Sequence, residues 1–152
     1  MIARSFDGEV VQRRLRMLSD LLDRLESLGQ TSAARLESDW QHAAVVERLL
    51  TRIVELAIKI NTHVVTSTGA LPPQDYRQSF LDAATAHLIE QQLAERLAPS
   101  AGLRNAIVHD YAWVNLDKVA EGAARALVDY REYVQQASVC VQSRRQAPPD
   151  NG

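Results

Sequence analysis

Eight consecutive residues, Arg104-Asn105-Ala106-Ile107-Val108-His109-Asp110-Tyr111, gather a guanidinium, an amide, an imidazole, a carboxylate and a phenol. The surrounding sequence is patterned as plain amphipathic helix. A guanidinium is always charged and grips phosphate through a fork of donors. An imidazole exchanges protons near neutral pH. Together they suffice to cleave a phosphodiester without a metal ion. Asp, Glu and Cys are not clustered at metal-ligand spacings, so neither a metal nor another cofactor is expected.

Residue types alone also allow a plainer reading, in which cations simply complement the C-terminal turn of a helix. Asn105 and Asp110 add polar groups that such a turn does not need, and Ile107 and Val108 are expected to hold the segment against the core. Helix geometry then sets a problem. At about 100° per residue, Tyr111 returns to within about 20° of Arg104, whereas His109 lies about 140° away. Either the helix ends near His109, or a second subunit completes the site.

The elements that must carry this run are helical. Val11, Leu15, Leu18, Leu22 and Leu25 form one apolar stripe over about residues 9–28, and Gly29 supplies the stop. Ser38-Asp39-Trp40-Gln41 has the form of a capping box with Ser38 as N-cap. A long helix to about Thr66 follows, apolar on enough sides (Val45, Val46, Leu49, Leu50, Ile53, Leu56, Ala57, Ile60, Val64) to be buried on two faces. Ser67 to Pro73 reads as a loop, and Asp75 as the cap of a short helix holding Tyr76, Phe80, Leu81 and Ala84. A further helix spans about Ala86 to Leu97, is interrupted or kinked at Pro99 and Gly102, and resumes through Arg104 to Tyr111. Asn115 caps the last helix, with Asp117 in its first turn and a stripe of Val119, Ala123, Leu127, Tyr130 and Val134. The expectation is an all-α, four- to five-helix antiparallel bundle, one domain over residues 1–145 with a disordered tail over 146–152.

Composition sets the remaining bounds. At 152 residues, 46% apolar and 24% charged, the chain is of globular type, and a net charge of −2 gives no global pull toward nucleic acid. RNA contact would need local clusters of cations. The cations comprise 15 Arg and two Lys, which suits bidentate phosphate contacts but also follows from a GC-rich genome. A single cysteine, Cys140, excludes an internal disulfide, no apolar run nears the roughly 20 residues of a membrane span, and the first residues lack the apolar stretch of a signal peptide. A cytoplasmic protein is expected.

At this point the chain resembles the HEPN domains, and within them the HepT-like toxins of prokaryotic toxin–antitoxin pairs. Their motif is an Arg, a polar residue (most often Asn), three residues, a His, any residue and a Tyr, and residues 104–111 satisfy each defined position. Glu47-Arg48 with Leu49-Leu50-Thr51-Arg52-Ile53 is similar to the family's second helix. Leu71-Pro72-Pro73-Gln74-Asp75-Tyr76 with Phe80-Leu81 is similar to its central connection, and Gly102-Leu103 precedes the motif as it commonly does. The likeness covers about residues 9–137. One position departs: an acidic residue is common near 59, where this chain has Lys59, while His63 matches a frequent His but reads first as a packed or surface side chain.

The resemblance implies a metal-independent endoribonuclease acting on tRNA or mRNA. In this reading His109 is a general acid or base, Arg104 braces the phosphorane, Asn105 holds an oxygen or the Arg, and Asp110 supports them. It further implies a C2 homodimer whose motifs line one groove, and a minimal nucleotidyltransferase antitoxin that transfers AMP to Tyr111 and so blocks RNA. The alternative is a silent HEPN bundle that binds nucleotide or supports the transferase. Arg13-Arg14-Arg16 reads as a solvated, salt-bridged face ahead of a cluster that steers RNA or meets an acidic partner, Trp113 as a cap on the core or a base-stacking group, and Arg144-Arg145 as a solubilising helix end.

Overall fold

A computed structural model describes residues 5–110 and 113–146. The first four helices begin where a short polar side chain takes up free N–H groups of the first turn. Asp7 does this for α1 (Gly8–Ser27), Ser32 for α2 (Ala33–Ser38), Asp39 for α3 (Trp40–Ser67) and Asp75 for α4 (Tyr76–Thr85). Two longer segments follow, α5 (Gln91–His109) and α6 (Leu116–Gln146), the latter with Asn115 Oδ1 accepting from the Lys118 N–H. No strand occurs among the described residues.

The all-α class stands, with six helices among the described residues in place of the expected four or five. The addition is α2. It places the cap of α3 on Asp39, whose Oδ1 accepts from the His42 N–H at 3.1 Å, while Ser38 closes α2 and turns its hydroxyl back to the Arg35 carbonyl. The capping box expected around Ser38 is therefore shifted by one residue.

The segment 86–97 is not one helix. Ala86 ends α4, His87 turns the chain in the left-handed region at φ 64°, and α5 starts at Gln91. That backbone costs a non-glycine residue roughly 1–2 kcal/mol. Burial of Leu88 and Ile89 in the turn offsets it, at about 1.5–3 kcal/mol for each full apolar side chain. The break expected at Pro99 and Gly102 is absent, and α5 runs unbroken through both. Proline forfeits one backbone hydrogen bond, and the buried Leu97, Ala98 and Ala101 around it keep the helix packed.

One core joins the helices. α3 packs against all five of the others, α1 also lies along α6, and α4 along α5. Leu15, Leu18, Leu22 and Leu25 of α1 meet Ile53, Ala57, Ile60 and Val64 of α3, with Val119, Ala123, Tyr130 and Tyr133 of α6 inside the same core. Val45, Leu127 and Val134, expected inside, are exposed or half-buried. A buried polar chain runs through the apolar interior. Tyr133 donates to Asn61 Oδ1 at 2.6 Å, Asn61 reaches Ser79 Oγ at 3.4 Å, and Ser79 donates to the Tyr76 carbonyl at 2.7 Å. It ties α6 and α3 to the first turn of α4, where Tyr76 sits.

Gln146 belongs to α6, and residues 147–152 of the expected tail lie outside the described residues. The end of α6 is fastened rather than merely solubilised. Arg144 donates to the Ala86 carbonyl at 2.9 Å and lies over the Phe6 ring, while Arg145 binds Gln12 and pairs with Glu9. Arg13, Arg14 and Arg16 make no ion pair among the described residues, so the salt bridges expected there are not formed.

Candidate active site

Arg104 projects from the last third of α5 toward α3 and is held on three sides. Its Nη2 and Nε both donate to Glu55 Oε1, at 2.6 and 3.2 Å. Its Nη1 donates to Asn105 Oδ1 at 3.1 Å, and its Cζ lies 5.0 Å above the centre of the Tyr76 ring. The side chain is only 13% exposed, so the guanidinium is fixed rather than free in solvent. A guanidinium has five N–H donors. Among the described residues three of them are used.

Glu55 is the partner of Arg104 that the motif does not reveal. The departure at Lys59 had removed an acid from α3, yet the acid that meets the arginine stands one turn earlier. Lys59 itself is exposed and shares a small hollow with Arg24, Arg52 and Glu55. The signal was available in the sequence: Glu55 lies on the same helical stripe as Thr51 and Ile58, both buried, and an acid on such a stripe needs a cation. Tyr76 is likewise placed by its fold position, at the start of α4 just after the Asp75 cap.

His109 is the last residue of α5 and is exposed. Asp110 caps the helix, its N–H donating to the Ala106 carbonyl and its own carbonyl accepting from the Trp113 N–H, both at 2.8 Å. Helical geometry therefore holds through His109, which leaves it about 140° around the axis from Arg104. Of the two anchors expected between them, Ile107 is buried and Val108 is exposed. Tyr111 lies outside the described residues. Trp113 does not cap the core, being 90% exposed. His63 accepts from the Asp7 N–H at 3.0 Å and packs against Phe6, the role of a packed side chain.

Arg104, Asn105, Asp110 and Trp113 line one groove of about 870 Å³ between α5 and α6, and His109 is not among its lining residues. The floor includes Tyr130, whose hydroxyl lies 2.6 Å from Ser100 Oγ and whose phenol burial pushes well up, so that it stays neutral. Among the described residues no group of three or more His, Cys, Asp or Glu side chains could hold a metal ion. No helix there is long and apolar enough to cross a membrane. This arrangement presents a braced cation and an amide to an anionic ligand, with an imidazole at the helix end.

The model of the family described as ribonuclease HepT-like matches residues 18–137. The chain belongs to the HepT-like ribonuclease family. Among HepT proteins it is 29% identical over 127 residues to the tRNA nuclease HepT of Aphanizomenon flos-aquae, covering 84% of this chain and 86% of that one. It is 28% identical over 128 residues to the mRNA nuclease HepT of Shewanella oneidensis, covering 84% and 95%. The solved tri-AMPylated HEPN toxin of Shewanella oneidensis, in complex with its MNT antitoxin, superposes with a TM-score of 0.76 at 26% identity, over 86% of this chain and 97% of that one.

Proposed function

We propose that this HepT-like chain is a metal-independent endoribonuclease toxin, and that Arg104 and His109 carry the chemistry with Asn105 and Asp110 beside them. The observation that carries the reading is the guanidinium of Arg104, locked by Glu55 and Tyr76 at the edge of an open groove, with two N–H groups unused among the described residues. In the reaction the RNA 2′-OH attacks the adjacent phosphorus as its proton passes to a base. The 5′ oxygen leaves with a proton from an acid, giving a 2′,3′-cyclic phosphate and a 5′-OH. Charge gathers on the non-bridging oxygens in between, where a fixed guanidinium stabilises it most.

α5 ends at His109, the first of the two routes that helix geometry left open, and within that last turn the imidazole still leaves the axis about 140° from Arg104. A C2 homodimer resolves this, with each protomer's Arg104 working beside its partner's imidazole. Mixed dimers test the arrangement: Arg104→Ala in one protomer and His109→Ala in the other should restore one working site per dimer, whereas sites confined to single chains predict no recovery.

Two relatives act on different RNAs by name, and the solved Shewanella oneidensis HEPN toxin is tri-AMPylated and in complex with its antitoxin. By that likeness a nucleotidyltransferase partner adds AMP to Tyr111, placing negative charge and bulk next to the motif. The reading of a silent bundle drew support from Lys59 and from the net charge of −2, and the Glu55 to Arg104 ion pair speaks against the first of these.

A further inference from the structure

The groove beside Arg104 carries groups that the cleavage step does not use. One wall is open at Gly102, where a Cβ would meet nothing within 4 Å, and Ala98 lines the same space, while Gly122 packs closely against Leu103. At about 870 Å³ it falls in the range of ligand-sized clefts. The Trp113 indole stands at its rim, almost fully in water although its backbone is pinned by Asp110. A lone exposed ring needs no partner, and what marks this one is its place at the rim of the groove that also holds Arg104.

Charge indicates what fits the groove. Five cations line the groove, and three are committed: Arg104 to Glu55, Arg96 to Asp129 and Glu132, and Arg125 to Glu121. Arg77 and Lys118 are exposed and make no ion pair among the described residues. Among the lining acids Asp75 caps α4, and Glu121 and Asp129 are ion-paired, which leaves Asp110. Two spare cations and an uncovered aromatic plane, continuous with a phosphate-gripping arginine, match a single-stranded polyanion with stackable rings.

Building on the nuclease reading, we propose that this groove seats the nucleotides flanking the scissile phosphate. Trp113 stacks on a base there, and Arg77 and Lys118 take neighbouring phosphates. These are binding residues, and their contribution to specificity is for unpaired RNA rather than for a base sequence.

The chain has two tryptophans, so Trp40→Phe leaves Trp113 as the lone indole reporter. In a Trp40→Phe/His109→Ala protein, a single-stranded oligoribonucleotide should quench that fluorescence, with the midpoint that anisotropy of the labelled RNA gives. Trp113→Ala should weaken binding by about tenfold. Lys118→Ala should lower the slope of log affinity against log salt by about 0.7, as expected for one lost single-strand phosphate contact. With His109 intact, Trp113→Ala should raise KM more than it lowers kcat.

RNA that binds by anisotropy while Trp113 stays unquenched and Trp113→Ala binds normally would overturn the proposal and leave the nuclease reading standing. No RNA bound, with none cleaved by wild type, would remove the nuclease reading and the proposal together. Quenching by purified nucleotidyltransferase alone, or by raising the protein concentration without RNA, would make the groove a protein interface and refute it.

Discussion

Glu55→Gln keeps the size of the side chain and removes the charge that holds Arg104. The acid receives two N–H donors on one oxygen, at 2.6 and 3.2 Å. Hydrogen bonds to a charged group contribute roughly 1.5–3 kcal/mol. Glu55 is 37% exposed, so solvent screening discounts that range to about 1–2 kcal/mol. If that energy maintains the guanidinium in its transition-state position, the loss is about 5- to 30-fold in rate. Tyr76 retains part of the placement through a cation–π contact of roughly 0.5–1 kcal/mol, so activity should fall without vanishing. Single-turnover cleavage of an end-labelled RNA reads this directly. A positioning role lowers kcat and leaves KM nearly unchanged, with Arg104→Ala marking the floor. Wild-type cleavage by Glu55→Gln alongside an inactive Arg104→Ala would show that the arginine needs no such support, and the reasoning fails.

Two further outcomes follow from buried polar groups. Tyr133→Phe leaves Asn61 Oδ1 without the phenol donor at a fully buried site. It should cost about 1–3 kcal/mol, seen calorimetrically as a drop of roughly 2–4 °C in Tm for each kcal/mol. His42 is buried beside Thr31, and burial, then the charge of Arg35, lowers its pKa below 6.5 while Asp39 opposes weakly. The unfolded chain therefore binds this proton more readily, so the contribution is present above pH 6.5 and lost as the pH falls below it. Denaturant midpoints should fall between pH 7 and pH 5, and His42→Gln should flatten that fall; an unchanged slope would count against the assignment.

The long amphipathic helices were readable because their apolar period and their caps agree. The α1 stripe, the Gly29 stop at φ 77° and the Asp75 cap all lie where the pattern puts them. What escaped depended on tertiary packing. Six residues of α2 are too few to show a period, and Ser38 and Asp39 are both good caps until α2 claims the first. Pro99 and Gly102 read as breakers locally, yet the packing of α5 on α4 and α6 overrides them. Likewise, His87 adopts a glycine-like turn because Leu88 and Ile89 gain burial. At the site, the motif residues were legible as a contiguous run, whereas Glu55 is 49 residues from its arginine and became visible only when α3 met α5.

The most direct measurement is cleavage of a defined transcript by purified wild-type protein, free of any nucleotidyltransferase, with excess chelator present. Undiminished cutting that leaves 2′,3′-cyclic phosphate ends, and that is lost in both Arg104→Ala and His109→Ala, is the predicted result. An intact transcript, cutting that ceases on chelation, or a fully active His109→Ala protein would contradict the account.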